Sequence, residues 1–318
     1  MTAGSGAVLA PAGIAPAIGT VLKALESVGV PVVQLLQIAD GFAFITLATL
    51  GLAIIFGMMG VINLAHGEFI MLGAYATTLT VNAFGVPLAV GMLVGVLVTA
   101  AFGVLVERTI VRRLYGRLFD SMVATFGLGL IMTQGARIVF GNSLNSVGTP
   151  FGTVPGYTYS GYRVVLAGVA IAVLLGAYLV FTRTEFGVRA RATIQDADTA
   201  RAMGVDTDRM YTATFAVGSG LAGLAGALYA PSVTMVPSMG QGFLVESFVA
   251  VVVGGPAVLL GTSMAGGLLG AIDAVFSNAY GNFIGQMALL LTAILAIRVL
   301  PDGLTGLVET IRDRLARG

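Results

Sequence analysis

The sequence predicts an all-α, polytopic transmembrane bundle. The first observation behind this is composition. The chain is 57% hydrophobic and 10% charged, with a mean hydropathy of +0.97, where a soluble domain carries roughly 25% charged residues. The second is that apolar runs of about 20 residues recur, the length that crosses a hydrocarbon core. The third is that these runs are continuously apolar and do not alternate with period two, which disfavours a β-barrel.

In chain order, residues 1–34 read as an extramembrane segment rich in Ala, Gly and Pro. No basic stretch precedes its apolar part, which argues against a cleaved signal peptide, and 14–30 is expected to form a short surface helix. Apolar segments follow near 35–58, 61–82, 85–106, 121–141, 163–182, 210–231, 244–262, 264–281 and 283–299. They predict eight or nine spans, some of them broken, within a transmembrane domain at 35–307. Residues 308–318 form a tail.

Composition also excludes functions. There is no cysteine, so thiolate chemistry and cysteine-bound metals are absent. His66 is the single histidine and Lys23 the single lysine. Neither a histidine metal cluster nor a Walker A loop with its Gly-Lys-[Ser/Thr] can be assembled from them. No metal site or cofactor is therefore expected on this chain, and uphill transport would draw its energy from a partner or an ion gradient. A net charge of +1 gives no basis for nucleic-acid binding.

Charge is concentrated. Positions 183–209 hold ten of the charged residues, between long stretches that carry almost none. Arginines cluster here (Arg183, Arg189, Arg191, Arg201, Arg209), in 107–120 (Arg108, Arg112, Arg113, Arg117) and in the tail, whereas loops 142–162 and 232–243 have no Lys or Arg. The positive-inside rule puts the three basic segments, and the C-terminus, in the cytoplasm. Within the island, Asp196, Asp198 or Thr199 can open a short helix and Gly204 can close it. Ala197, Ala200 and Met203 are spaced for one face. That helix is either a solvated connector or a docking surface for a soluble partner.

Two further features stand out. Residues 57–69 interrupt an apolar run with Gly57, Gly60 and Gly67 and with the polar Asn63, His66 and Glu68. Non-helical backbone at membrane depth must be buried or line a watery cavity, and discontinuous helices form many transporter substrate sites. The three polar residues either face a solute or satisfy one another and the freed backbone. Glu246 and Asp273 each stand alone in an apolar run, where an ionisable residue is costly. Glu246 is placed near the outer end of its segment and Asp273 deeper. Small-residue pairs such as Gly91 with Gly95 and Gly266 with Gly270 suit close helix packing, inside one subunit or between two.

At these residues the chain resembles the membrane subunit of bacterial ABC importers for branched-chain amino acids and urea. The resemblance covers about 35–307. It rests on Gly60-Val-Ile-Asn-Leu-Ala-His-Gly-Glu-Phe69 with Met71-Leu-Gly-Ala-Tyr75, on Leu114-Tyr-Gly-Arg117 with Ala124-Thr125, and on Thr184-Glu-Phe-Gly187, Arg189-Ala190 and Ala200 to Gly204. Gly218 to Gly226, Val251-Val-Val-Gly-Gly255 and Leu300-Pro-Asp-Gly-Leu304 complete it. The resemblance implies an ABC-importer permease fold in the bacterial inner membrane. It also implies a second, homologous membrane subunit, two ATPase subunits carrying ATP and Mg, and an external solute-binding protein. The island becomes the loop that couples to the ATPase, with Arg189, Arg191, Asp198, Ala200, Arg201, Met203 and Gly204 as its contact residues. Met59-Gly-Val-Ile-Asn63 and Met239-Gly-Gln241 look closer to the urea and short-amide branch. Leu118, where a proline is common, and Pro256 and Leu260, within a run that is usually glycine-rich, depart from the pattern.

Two other classes compete. A self-contained, proton-coupled secondary transporter would need a relay of acids, and Glu68, Glu246 and Asp273 are few and scattered for that. An intramembrane hydrolase would need a dyad such as Ser219 with His66.

Overall fold

The computed structural model describes residues 32–154, 157 and 159–308. The surface helix expected at 14–30, and 309–318 of the tail, lie outside the described residues. Among these, regular structure is helical apart from two isolated β-bridges, Leu144 with Met235 and Thr153 with Ser160. In order the helices are α1 (Val32–Met59), α2 (His66–Phe84), α3 (Leu88–Thr109), α4 (Leu118–Phe140), α5 (Gly161–Arg183), α6 (Glu185–Gln195), α7 (Ala197–Ala202), α8 (Thr207–Tyr229), α9 (Met239–Gly254), α10 (Val258–Tyr280) and α11 (Asn282–Val299), with a 3-10 turn at Val111–Leu114. Among the described residues α1 runs from Val32, so 32–34 are helical.

Each of the nine apolar segments is a helix, and seven of the described helices are long and apolar enough to cross a membrane: α1, α3, α4, α5, α8, α10 and α11. Eight or nine spans were expected, and seven of the described helices meet that measure of length and composition. Helix α2 has 19 residues and opens on His66 and Glu68. Helix α9 has 16 residues, because Gly255, at φ +84°, and Pro256 end it before the expected 262. A left-handed glycine followed by proline stops a helix for both conformational and hydrogen-bonding reasons.

Two antiparallel helix pairs, α1 with α10 and α3 with α8, form the most extensive contacts of the bundle. Helix α1 runs antiparallel along α10: Gly41 meets Gly270, Gly266 meets Thr46, and Gly57 meets Val258. Helix α3 runs antiparallel along α8: Gly95 lies against Gly73 of α2, Gly223 against Thr99 and Gly95, and Gly103 against Ser219. The small-residue faces are thus used for packing inside this chain, where they let backbones approach closely. The main core joins α1, α2, α5 and α8 through Leu47, Ile55, Phe69, Leu166 and Phe215.

The short helices fill the middle. The first turn of α2 lies beside Ala48 of α1 and Gly129 of α4, near the midpoints of both, and not at their ends. Its C-terminal part reaches Asn145 beyond α4, through Asn82 Nδ2. Gly240 in the first turn of α9 packs on Gly67, and the last turn packs on Gly261 near the start of α10. The two short helices therefore meet by their N-termini at mid-bundle and run to opposite ends. One end gathers the close of α1, α9 and α11 with the arginine-rich segments, since Ala190 of α6 clusters with Ile54 and Met58. The other end carries Asp40, Arg163 and loop 141–160.

Candidate functional site

Three places hold the polar residues of interest. The first is the junction of α2 and α9. Gly60, at φ +61°, closes α1. Asn63 then turns the chain: its Oδ1 accepts from Ala65 N–H at 3.0 Å, and its carbonyl accepts from His66 N–H at 3.3 Å. Thr125 of α4 accepts from Leu64 N–H at 3.0 Å. His66 Nε2 bonds to the Ala48 carbonyl at 2.8 Å, and Glu68 Oε1 accepts from the Thr133 hydroxyl at 3.3 Å. All three polar residues are buried, Asn63 and His66 at 0% exposure and Glu68 at 4%. Their side chains hold the break to α1 and α4 and do not bond to one another. Three of their atoms, Asn63 Nδ2, His66 Nδ1 and Glu68 Oε2, are buried without a partner. Because His66 is engaged by Ala48 and the Ser219 hydroxyl bonds to nothing among the described residues, no Ser–His hydrogen bond of a hydrolase is formed.

The second is a cavity of about 580 Å³ at the end away from the arginine-rich segments. It is lined by α1, α5, α9, α10, α11, the end of α8 and the segment after it. Its lining includes both lone acids, Glu246 and Asp273, together with Asp40, Arg163, Tyr229 and Ser232 over an apolar floor of Phe44, Ile45 and Leu289. Arg163 Nη1 donates to Asp40 Oδ2 at 2.7 Å. Asp273 accepts from Ser277 at 3.3 Å. The two acids, expected at different depths, line the same cavity. Helix α9 starts at Met239, not 244, so Glu246 is mid-helix on an element that begins at mid-bundle, while Asp273 is seven residues from the C-terminal end of α10. Sequence reasoning missed Asp40, Arg163 and Tyr229 as their neighbours, since nothing local links positions so far apart.

The third is the charged island, which is stitched by its own side chains. Thr184 Oγ1 accepts from Gly187 N–H and caps α6, a helix not anticipated as separate. Asp196 caps α7 by accepting from Asp198 N–H and Thr199 N–H, both at 3.0 Å, and from the Thr199 hydroxyl at 2.6 Å. These bonds, the hydroxyl foremost, hold its carboxyl below the usual range. Gly204, at φ +88°, closes the turn. Arg201 reaches Asp198 at 3.1 Å and Thr207 at 2.8 Å, and Arg189 pairs with Glu185 at 2.8 Å. Arg191 donates to the Phe181 carbonyl. The expected common face is not formed: Ala200 is 3% exposed and faces the protein, whereas Met203 is 81% exposed. With α7 only six residues long, the two positions point to different sides.

Beside the island, Glu107 at the end of α3 is fully buried. It accepts from Arg112 at 3.1 Å, Tyr115 at 2.6 Å and Thr212 of α8 at 2.9 Å. Burial and this carboxylate push the Tyr115 hydroxyl above its ordinary range. A buried charge held by three donors is well compensated, and it fastens the basic 107–120 segment to the foot of α8.

The family model for the branched-chain amino acid transport system permease component matches residues 34–300. The high-affinity branched-chain amino acid transport system permease protein BraD of Pseudomonas aeruginosa is 26% identical over 83% of this chain and 92% of its own length. The corresponding LivH protein of Escherichia coli is also 26% identical, over 83% and 91%. The autoinducer 2 import system permease protein LsrC of Yersinia enterocolitica is 33% identical over 46% and 39%.

Proposed function

Since the chain belongs to the branched-chain amino acid transport system permease family, we propose that it forms the translocation pathway of an ATP-driven importer for a small polar solute, either a branched-chain amino acid or urea and short amides. As a permease component of an ABC importer it is not an enzyme. The observation that supports its role most directly is the meeting of α2 and α9 by their N-termini at mid-bundle, with Gly67 on Gly240. Discontinuous helices placed this way give transporters free backbone groups and a movable junction at the membrane centre. Asn63, His66 and Glu68 brace that junction from the α2 side. The relatives' names favour branched-chain amino acids, and the runs around Asn63 and Gln241 favour urea or amides.

In this reading the arginine-rich end is cytoplasmic, as is the C-terminus, in accord with the gathering of the basic segments at one end. Two ATPase subunits, with their ATP and Mg, dock on the island. A homologous membrane subunit completes the pathway, and an external binding protein delivers the solute at the opposite face. ATP binding drives transport by favouring one membrane conformation over another. The docking contact is carried by Met203 and the exposed charges Arg189, Arg191, Asp198, Arg201 and Arg209 beside Gly204, with Ala200 as an internal packing residue.

Reconstitution into liposomes with the ATPases and binding protein tests this. ATP-dependent uptake of labelled leucine, urea or acetamide is expected. Uptake that proceeds without ATP and collapses with the proton gradient would establish the secondary transporter instead. Met203→Glu is expected to weaken co-purification of the ATPases at least several-fold without lowering the melting temperature. Ala200→Arg is expected to unfold the island first. Intact docking in the Met203 variant would move the contact elsewhere.

A further inference from the structure

We propose that the cavity between α1, α5, α9, α10 and α11 is a binding site inside this single subunit for a small organic solute whose recognised end carries several N–H donors, an ammonium or an amide. This rests on the importer reading only in treating that solute as cargo.

The argument is one of unmatched acceptors. Asp40, Glu246 and Asp273 bring three carboxylates into one cavity, and the one arginine of its lining, Arg163, is already bonded to Asp40. Glu246 makes no hydrogen bond or ion pair with any described residue. Asp40 Oδ1, the Tyr229 hydroxyl and Ser232 Oγ are buried without partners, so three of the eleven such atoms among the described residues border this one space. Tyr229 is only 4% exposed. Buried polar atoms are ordinarily satisfied, and leaving several unmet at one place is what a site looks like before its ligand supplies the missing donors. The hydroxyls of Tyr229 and Ser232 can in turn donate to a carbonyl or carboxylate on the same solute. Phe44, Ile45 and Leu289 give a small aliphatic tail an apolar wall. Among the described residues no three His, Asp or Glu side chains converge closely enough to hold a metal ion, so the acceptors are spread for an organic head group. Size agrees: about 580 Å³ falls within the range of roughly 300–1,000 Å³ usual for small-molecule sites.

The test uses the full chain alone in lipid nanodiscs, with leucine, urea, acetamide and tetramethylammonium as probes. Saturable binding of leucine, or of urea and acetamide, is expected, and which of them binds separates the ammonium from the amide source. Tetramethylammonium, a cation without N–H donors, is expected not to bind. Glu246→Gln with Asp273→Asn should weaken binding at least tenfold. Tyr229→Phe, which removes only the unpartnered hydroxyl, should weaken it about three- to tenfold at an unchanged melting temperature. Absence of binding by every N–H probe, equal binding by tetramethylammonium, or affinity indifferent to both sets of variants would overturn the site. ATP-driven uptake by the assembled transporter is measured in parallel. Uptake that persists while the chain alone binds nothing retires the cavity and leaves the importer standing, whereas binding without uptake retains the cavity and removes the importer.

Discussion

Helices α2 and α9 start at the same depth, against each other, and leave in opposite directions, but their surroundings differ. Around α2 each polar side chain makes a structural bond, while Asn63 Nδ2, His66 Nδ1 and Glu68 Oε2 stay buried without partners. Asn63 turns the chain, His66 holds α1, and Glu68 reaches α4, all with negligible exposure. Around α9 the chief polar group, Glu246, is bonded to no described residue and opens on a cavity. The same backbone device thus serves as a brace on one side and as the wall of a vestibule on the other. An ionisable residue at membrane depth is informative only once its partners are known.

Substitutions can break or sharpen that contrast. The largest effect is expected at the shared junction. A Cβ on Gly240 would stand 2.7 Å from the Gly67 carbonyl, with rigid backbone opposite. Gly240→Val should therefore cost more than about 4 kcal/mol, in the range of severe overpacking, and the variant should be lost from the folded peak in size-exclusion chromatography. His66→Leu comes next. It removes an interhelical bond to Ala48 worth about 1 kcal/mol in a membrane. It should lower the melting temperature by a few degrees while leaving solute affinity within twofold. An unchanged melting temperature with weakened binding would put α2 in the vestibule and erase the contrast. Asn63→Leu, which leaves Ala65 N–H without its acceptor, should behave likewise. It should also slow uptake without preventing assembly, and normal uptake would reduce Asn63 to a spacer. The smallest effect is expected at Gln241, exposed on the first turn of α9. Gln241→Ala should change stability by less than about 0.5 kcal/mol, a control showing that the effect at Gly240 comes from its packing.

The class of fold was legible because lipid imposes it: continuous apolar runs locate helices to within a few residues. Local chemistry at the island was legible too, since Asp196 and Gly204 act on their immediate neighbours. Depth was not legible. Pro237-Ser-Met-Gly-Gln-Gly242 reads as loop, because two glycines and a proline in six residues argue against a helix. The helix starts there all the same, at Met239, because Gly240 is held against Gly67. That contact spans 173 positions and leaves no local trace. With α9 starting earlier, Glu246 falls in the middle of its helix and not near its start. Orientation around α7 was lost for a related reason: Ala197, Ala200 and Met203 at helical spacing suggested one face, but the helix is too short to define one, and Ala200 was taken up by the protein.

Helix α8 has its foot clamped by Glu107, Arg112 and Tyr115 through Thr212 and carries Tyr229 at its tip. The 17 residue steps from Thr212 to Tyr229 make a rod of about 26 Å. Rocking that rod by about 5° at the clamp sweeps the Tyr229 hydroxyl through about 2 Å, by the leverage of a stiff helix. That is most of a hydrogen bond's length. Mechanical advantage of this kind turns a slight rotation at the arginine-rich end into the making or breaking of a single bond at the far one.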